Sequence, residues 1–181
     1  PHYGLSQADI VYEMMNSTQN GQITRFMVLF KDYDSVSQIG SVRSVRPTNL
    51  MIAPEWNAIV CHDGGPFYIN TFLANDYVDH FSGTFSRVDN GKPREFTEYI
   101  LPGDMEDNFS NSSVDRNYNE YAPTEPHFEF ASESNPVDLS GEAGSTACTL
   151  VDLPFPHNGS ELNYDEDQRG FEGSASDCGH G

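Results

Sequence analysis

Arg25, Arg43, Arg46, His62 and Asp63, followed by the pair Gly64-Gly65, are the residues of this chain whose types and spacing invite chemistry. Arg46 stands immediately before Pro47, a residue suited to the first position of a helix. A guanidinium and a set of unpaired helix N–H groups would then face the same space. Both favour an anion such as a carboxylate or a phosphate. Two glycines at the end of a strand allow a ligand to come close to the backbone. The set therefore predicts a site for a small anionic or polar ligand. A competing reading uses the same arginines as structural bridges to Asp9, Glu13 and Asp63, and in a chain so poor in cations both stay open.

Catalytic constellations are harder to assemble. His62 titrates near neutrality and could act as a base. Consecutive residues on a strand point to opposite faces, however, so Asp63 cannot orient the His62 ring. There is no Gly-x-Ser-x-Gly elbow and no evident nucleophilic cysteine, so no catalytic residue is assigned. The acidic runs Asp32-Tyr33-Asp34, Asp104-Met105-Glu106-Asp107-Asn108 and Asp165-Glu166-Asp167 invite a calcium reading. None carries the sixth-position Gly and twelfth-position Glu of a calcium loop. No metal site and no cofactor are expected.

Of the three cysteines, Cys61 sits in the apolar run Ala58-Ile59-Val60-Cys61 and reads as a buried thiol. Cys148 and Cys178 lie in the polar C-terminal third and can form a disulfide in an oxidising compartment. Asn16, Asn108, Asn111 and Asn158 each open an N-x-S/T sequon and are candidate glycosylation sites.

The 181 residues carry 28 acidic side chains against nine Lys and Arg, a formal charge of −19. That field repels nucleic acid and anionic membrane surfaces. Lys depletion beside Asp and Glu enrichment suits a secreted surface or a salty habitat. No stretch approaches the ~20 apolar residues of a membrane helix. The start at Pro1 reads as a processed or trimmed chain. Twelve Phe and nine Tyr supply core material, so a folded chain is expected despite only 36% apolar content.

The elements that must position the site lie in the first hundred residues. Ala8–Met14 and Ile23–Phe30 read as strands of a hairpin turning at Asn20-Gly21, the second apolar enough to be central and covered on both faces. Ile39–Arg46 is a third extended segment, halted by Pro47. A helix through Asn49–Ile52 follows, limited by Pro54. Ala58–Asp63 is a fourth strand, and Phe67, Ile69, Phe72 and Leu73 mark a helix after it. Interleaved strands and helices predict an α/β (α+β) layered domain with a mixed sheet over residues 1–102. Residues 103–126 read as an acidic polar loop or linker. Residues 127–181 hold the short strand candidates Phe128–Phe130, Ala147–Val151 and Leu162–Tyr164, a smaller and incomplete mostly-β domain. The last forty residues contain too little apolar surface to offset the entropy of ordering them alone.

Gly4-Leu5-Ser6-Gln7-Ala8-Asp9-Ile10-Val11-Tyr12-Glu13, Ile23-Thr24-Arg25-Phe26, Ile39-Gly40-Ser41-Val42-Arg43-Ser44-Val45-Arg46-Pro47 and His62-Asp63-Gly64-Gly65, in that order, resemble the YerB-like lipoprotein family of bacterial envelope proteins. Its domain has no assigned function. Phe85-Ser86-Arg87 and Tyr164–Phe171 resemble later family positions. Where family members carry an Ala-Pro-His-Asn type motif, this chain has Pro93-Arg94-Glu95-Phe96-Thr97. Against the family pattern, the chain reads as lacking the opening strand and the closing strands of the second domain. An incomplete sheet leaves open edges. The resemblance therefore implies a non-enzymatic extracellular or cell-envelope structural or binding protein. One form is a self-assembling filament subunit, with copies of itself as partners and a neighbour's strand completing the sheet. A monomeric ligand-binding domain and an uncharacterised hydrolase or transferase are the alternatives.

Overall fold

The structure, a computed structural model, describes residues 2–117, 119–121, 128–132, 134–157, 159–167 and 170–175. It is a mixed α/β fold of small sheets with few helices. The chain forms two compact units, Pro1–Tyr12 with Met27–Pro126, and Glu13–Phe26 with His127–His180. The acidic stretch after residue 102, read from sequence as a linker, thus belongs to the first unit. The turn end of the first hairpin belongs to the second.

That hairpin pairs β1 (Ile10–Met15) with β2 (Thr24–Leu29). The Asp9 N–H donates to Leu29 O at 3.0 Å, and the Asn16 N–H to Ile23 O at 2.8 Å. Among the described residues β2 pairs with β1 alone, and beyond Thr24 it is half-buried throughout. Its apolar run led to the expectation of a central strand. An apolar run reports that both faces avoid water, but not whether a second strand takes the free edge.

In the first unit, β4 (Val60–His62) runs parallel to β5 (His80–Ser82). A parallel pair needs a crossover, here a 3-10 turn at Phe67–Ile69 running into α2 (Asn70–Leu73). Both faces of the pair are covered. On one, Val60 joins Val45, Leu50, Ile69, Phe72, Leu73 and Val78. On the other, Cys61 joins Val42, Phe81, Phe85 and Met105. Burial pushes the Cys61 thiol up to about 12, so it behaves as a small hydrophobe. Helix α1 (Pro47–Ile52) starts where Pro47 predicts, with Asn49 Oδ1 accepting the Arg46 N–H at 2.8 Å.

A second sheet, in the order β3-β7-β6, is antiparallel and comprises β3 (Ile39–Gly40), β7 (Glu98–Ile100) and β6 (Ser86–Arg87). Beyond β3 the chain stays extended and ties the two sheets together. Val42 donates to Glu98 O at 2.8 Å, Arg43 O accepts the Asp63 N–H at 3.0 Å, and Val45 donates to Gly64 O at 3.0 Å.

Residues Asp104–Ser110, expected to be loop, form helix α3. The Asp104 carboxylate accepts the Leu101 N–H at 2.9 Å and the Ser86 N–H at 3.1 Å, while Met105 is buried against Phe81 and Phe85. The helix is held by tertiary partners, and its one local trace is the Met105–Phe109 spacing.

The second unit contains an antiparallel sheet of β8 (Leu150–Asp152), β9 (Ser160–Asp165) and β10 (Gly170–Ala175), in the order β10-β9-β8. Glu13 joins the hairpin end to it, its carboxylate accepting the Thr24 hydroxyl at 2.8 Å and the Ser160 N–H at 3.2 Å. Among the described residues of this unit the buried side chains are Asn16, Thr24 and Ser160, and no apolar side chain is buried. Among the described residues, every buried apolar side chain lies in the first unit.

Leu50 is 1% exposed in that core. Leu50→Ala should destabilise the first unit by about 3 kcal/mol through lost burial and a residual cavity. Urea unfolding followed by fluorescence of the single tryptophan, Trp56, which donates to the Tyr12 hydroxyl at 2.9 Å, measures it.

Candidate functional site

Polar residues gather where β4 and β5 end. Asp63 leaves β4 and is followed by Gly64 in the left-handed region, φ 66°, where a Cβ would meet nothing within 4 Å. The Gly64 N–H donates to Ser82 Oγ at 3.3 Å. Gly65 has a different role: a Cβ there would lie 2.9 Å from Ile69 Cγ2, so the helix side chain packs directly on the glycine. Gly64 leaves open space beside the backbone, whereas Gly65 is required by packing.

The centre of the site is Glu98, whose side chain is fully buried on β7. Its Oε1 accepts the Phe85 N–H at 3.1 Å and its Oε2 is ion-paired with Arg87 Nη2. The same nitrogen holds Asp63 Oδ2 at 2.9 Å, and Arg87 Nη1 donates to Arg94 O at 2.8 Å. Although ion-paired, Glu98 Oε2 has no hydrogen-bond donor of good geometry. An oxygen so placed, beside a second carboxylate, suits a carboxyl that carries the proton itself. Burial first, and the neighbouring Asp63 carboxylate second, push Glu98 up to about 6 against the pull of Phe85 and Arg87. Glu98 thus holds its proton to a higher pH than an ordinary carboxyl and gives it up near pH 6.

Under the opposite face of β4, His62 is 2% exposed. Its Nδ1 lies 2.8 Å from Gly64 O, and since a carbonyl only accepts, Nδ1 carries the hydrogen. In the neutral ring Nε2 then accepts, and His80 Nδ1 donates to it at 3.1 Å. Burial lowers both rings from the usual histidine range, most directly by disfavouring the charged form. His62 is therefore a buried linker between β4 and β5. It is not a base facing Asp63.

The arginines of the expected anion site are already engaged. Arg43 stacks over the Phe96 ring at 4.0 Å, donates to Glu95 O, and pairs with Glu95 Oε1 at 3.5 Å. Arg46 Nη1 donates to Val45 O at 3.0 Å and to Ser44 O at 3.3 Å. Arg25 lies on β2 within the second unit and has partners of its own. In the first unit the structure thus brings together Asp63, Gly64 and Arg43 with Arg87 and Glu98, two residues not expected from sequence as site members. Arg43 and Arg87 both reach carbonyls of the turn Arg94–Phe96, within the segment that departs from the Ala-Pro-His-Asn pattern.

Glu98 had one readable sign. It shares a strand face with Ile100 and so sits at an inward position.

Asn16 and Asn108 are buried, and Asn108 donates to Asp104 O at 2.7 Å while accepting the Thr84 hydroxyl. A glycan on either would require the side chain to leave its packing. Asn111 is exposed, and its Nδ2 donates to Asp107 O at 2.7 Å. Cys148 is exposed. Asn158 and Cys178, and with them the expected disulfide, lie outside the described residues.

The N-terminal domain of DUF3048, a protein of unknown function, matches residues 1–119. The chain belongs to the DUF3048 family. The crystal structure of the YerB protein from Bacillus subtilis superposes on the DUF3048 chain with a TM-score of 0.67 at 23% identity, covering 98% of this chain and 57% of YerB. That likeness establishes the fold, and the chain spans little more than half of YerB's length. No curated protein matches the chain.

Glu98 binds its proton more tightly folded than unfolded. Its contribution to stability is complete below the unfolded value, near 4.5, and is lost as pH rises through about 6. Glu98→Gln keeps a neutral side chain throughout. Relative to this variant, the native protein should lose on the order of 1–2 kcal/mol between those limits, measured by urea unfolding at matched pH. In Asp63→Asn, the Glu98 titration followed by carboxyl carbon NMR should move down towards the ordinary carboxylate range. An unchanged midpoint would show that the two carboxyls do not interact.

Proposed function

We propose that this chain is a non-enzymatic structural module of the cell exterior, which becomes fully packed only when a neighbouring copy supplies a strand to its second unit. One observation carries the reading: no apolar side chain is buried among the described residues of that unit. Hydrophobic burial is the main favourable term in folding, so a unit whose described apolar side chains are at most half-buried gains from further cover. Phe130, Val137, Leu139 and Leu150 are 50–70% exposed there, an apolar surface larger than isolated residues require. The formal charge of −19 keeps such a surface soluble before assembly and opposes the approach of a second copy. Addition of a strand supplies both backbone partners and apolar cover.

A small-ligand role for the end of β4 has weaker support. Arg43, Arg46 and Arg87 each hold protein acceptors, and an incoming anion would have to displace them.

Light scattering over micromolar to submillimolar protein tests the proposal, at about 0.15 M and about 1 M NaCl, where screening lengths are about 8 and 3 Å. Multimers that grow with protein concentration, and more readily at the higher salt, are expected. A protease-resistant monomer at both salts would rule out completion by a neighbour.

A further inference from the structure

His62 and His80 join the parallel strands β4 and β5 through one chain of hydrogen bonds. His80 Nδ1 donates to His62 Nε2 at 3.1 Å, and His62 Nδ1 donates to Gly64 O at 2.8 Å. The ring centroids are 5.2 Å apart, His62 is 2% exposed and His80 is half-buried. Each neutral ring spends its one N–H in this chain and keeps one bare nitrogen. That of His62 already receives His80. That of His80 is Nε2, at the outer end.

Two protons can enter such a chain, and they are not equivalent. The first, on His80 Nε2, leaves both hydrogen bonds in place and strengthens the bond to His62, because a charged donor is the stronger one. The second has only His62 Nε2 to occupy. There it sets two N–H groups against each other and two positive rings 5.2 Å apart. The link therefore tolerates one charge and not two. The charged groups around the rings leave this order intact. On His62, burial is the largest influence and disfavours the charge; the Gly64 carbonyl and Asp63 favour it, and His80 opposes it. On His80, burial disfavours the charge and Asp79 favours it. Asp79 is itself held by Asn119 Nδ2 at 2.9 Å.

The His62 ring grips the turn that follows β4. Gly64 O also accepts the Val45 N–H, and the Asp63 N–H donates to Arg43 O. A ring so deeply buried cannot swing away from His80 without displacing that turn. We propose that His62 and His80 form an acid-sensitive latch on the end of β4: closed with no proton or one on the pair, it opens when the second arrives and frees Asp63 and Gly64 from the Arg43–Val45 segment. The latch lies within the first unit and does not depend on strand addition to the second. Below the ordinary histidine value of 6.5, the open form takes up one proton more than the closed form. Falling pH thus favours opening. Glu98 acts in the opposite sense over a neighbouring range, since the folded chain holds its proton more tightly. Overall unfolding mixes the two effects, and a local measurement separates them.

Amide hydrogen exchange of the full chain, corrected for its intrinsic pH dependence, reads the latch at Asp63 and Val45. From about pH 7.5 to about pH 5, the span of histidine titration, their protection should fall. Below about pH 6.5 the slope should approach tenfold per pH unit, as one extra proton requires. The Val88 amide, bonded to Thr97 O at 2.8 Å beside the β6–β7 pairing, should keep its protection. His80→Gln places a carboxamide at a half-buried position. Turned one way it donates to neutral His62, and turned the other it accepts from the charged ring. In this variant Asp63 and Val45 should stay protected throughout the range. The latch is overturned by native protection that stays flat at Asp63 and Val45, by an equal loss at Val88, or by an equally steep loss in His80→Gln.

Discussion

The first unit is tied together at Glu98. Its carbonyl receives Val42 from the extended segment, and its carboxylate receives the Phe85 N–H and the Arg87 guanidinium. Arg87 then reaches Asp63 at the end of β4 and the carbonyl of Arg94. Stretches of chain far apart in sequence are thereby linked through Glu98 and Arg87. A fully buried carboxylate is costly unless ion-paired and hydrogen-bonded. The arrangement answers that cost with one guanidinium, one backbone N–H and a proton held more tightly than usual. It also limits the chemistry. A carboxyl with no exposed surface cannot touch a substrate, and the arginines around it are occupied by the protein's own acceptors.

The two units differ in what holds them. The first wraps apolar side chains around both faces of a parallel strand pair, the arrangement in which such pairs are found. The second is joined through polar contacts at Glu13, Thr24 and Ser160, and Phe128, Phe130, Tyr164 and Phe171 are exposed. Hydrogen bonds contribute modestly to net stability because water competes for the same groups. The apolar side chains of the second unit add partial cover: Val151, Leu153, Phe155 and Leu162 are half-buried, and the Tyr164 and Phe171 rings pack edge to face at 5.3 Å.

How much was legible depended on whether the signal was local. Pro47 announced the start of α1, Gly64-Gly65 announced the end of β4, and the apolar run Ala58–Cys61 announced a strand and a buried thiol, because these are rules of single residues and neighbours. Helix α3 was not legible. Its first turn is acidic and looks like solvated loop until Ser86 is seen donating to Asp104. The second carboxylate of the site escaped for a similar reason. Glu98 lies 35 residues beyond Asp63, and nothing in the spacing says that Arg87 will bridge them.

The amino-acid sequence alone determined the class of fold, the family, the acidic surface and the stretch from Arg43 to Gly64 around which the polar site forms. The family follows from the resemblance of its motifs, and the rest from periodicity, turn chemistry and charge, which need no distant partner. Tertiary structure decided the use of each residue: Arg43 and Arg46 as holders of backbone carbonyls, His62 as a buried link, and Glu98 as the centre. A side chain's protonation and its partners depend on what displaces water from it. Only the folded arrangement of segments far apart in the chain sets that.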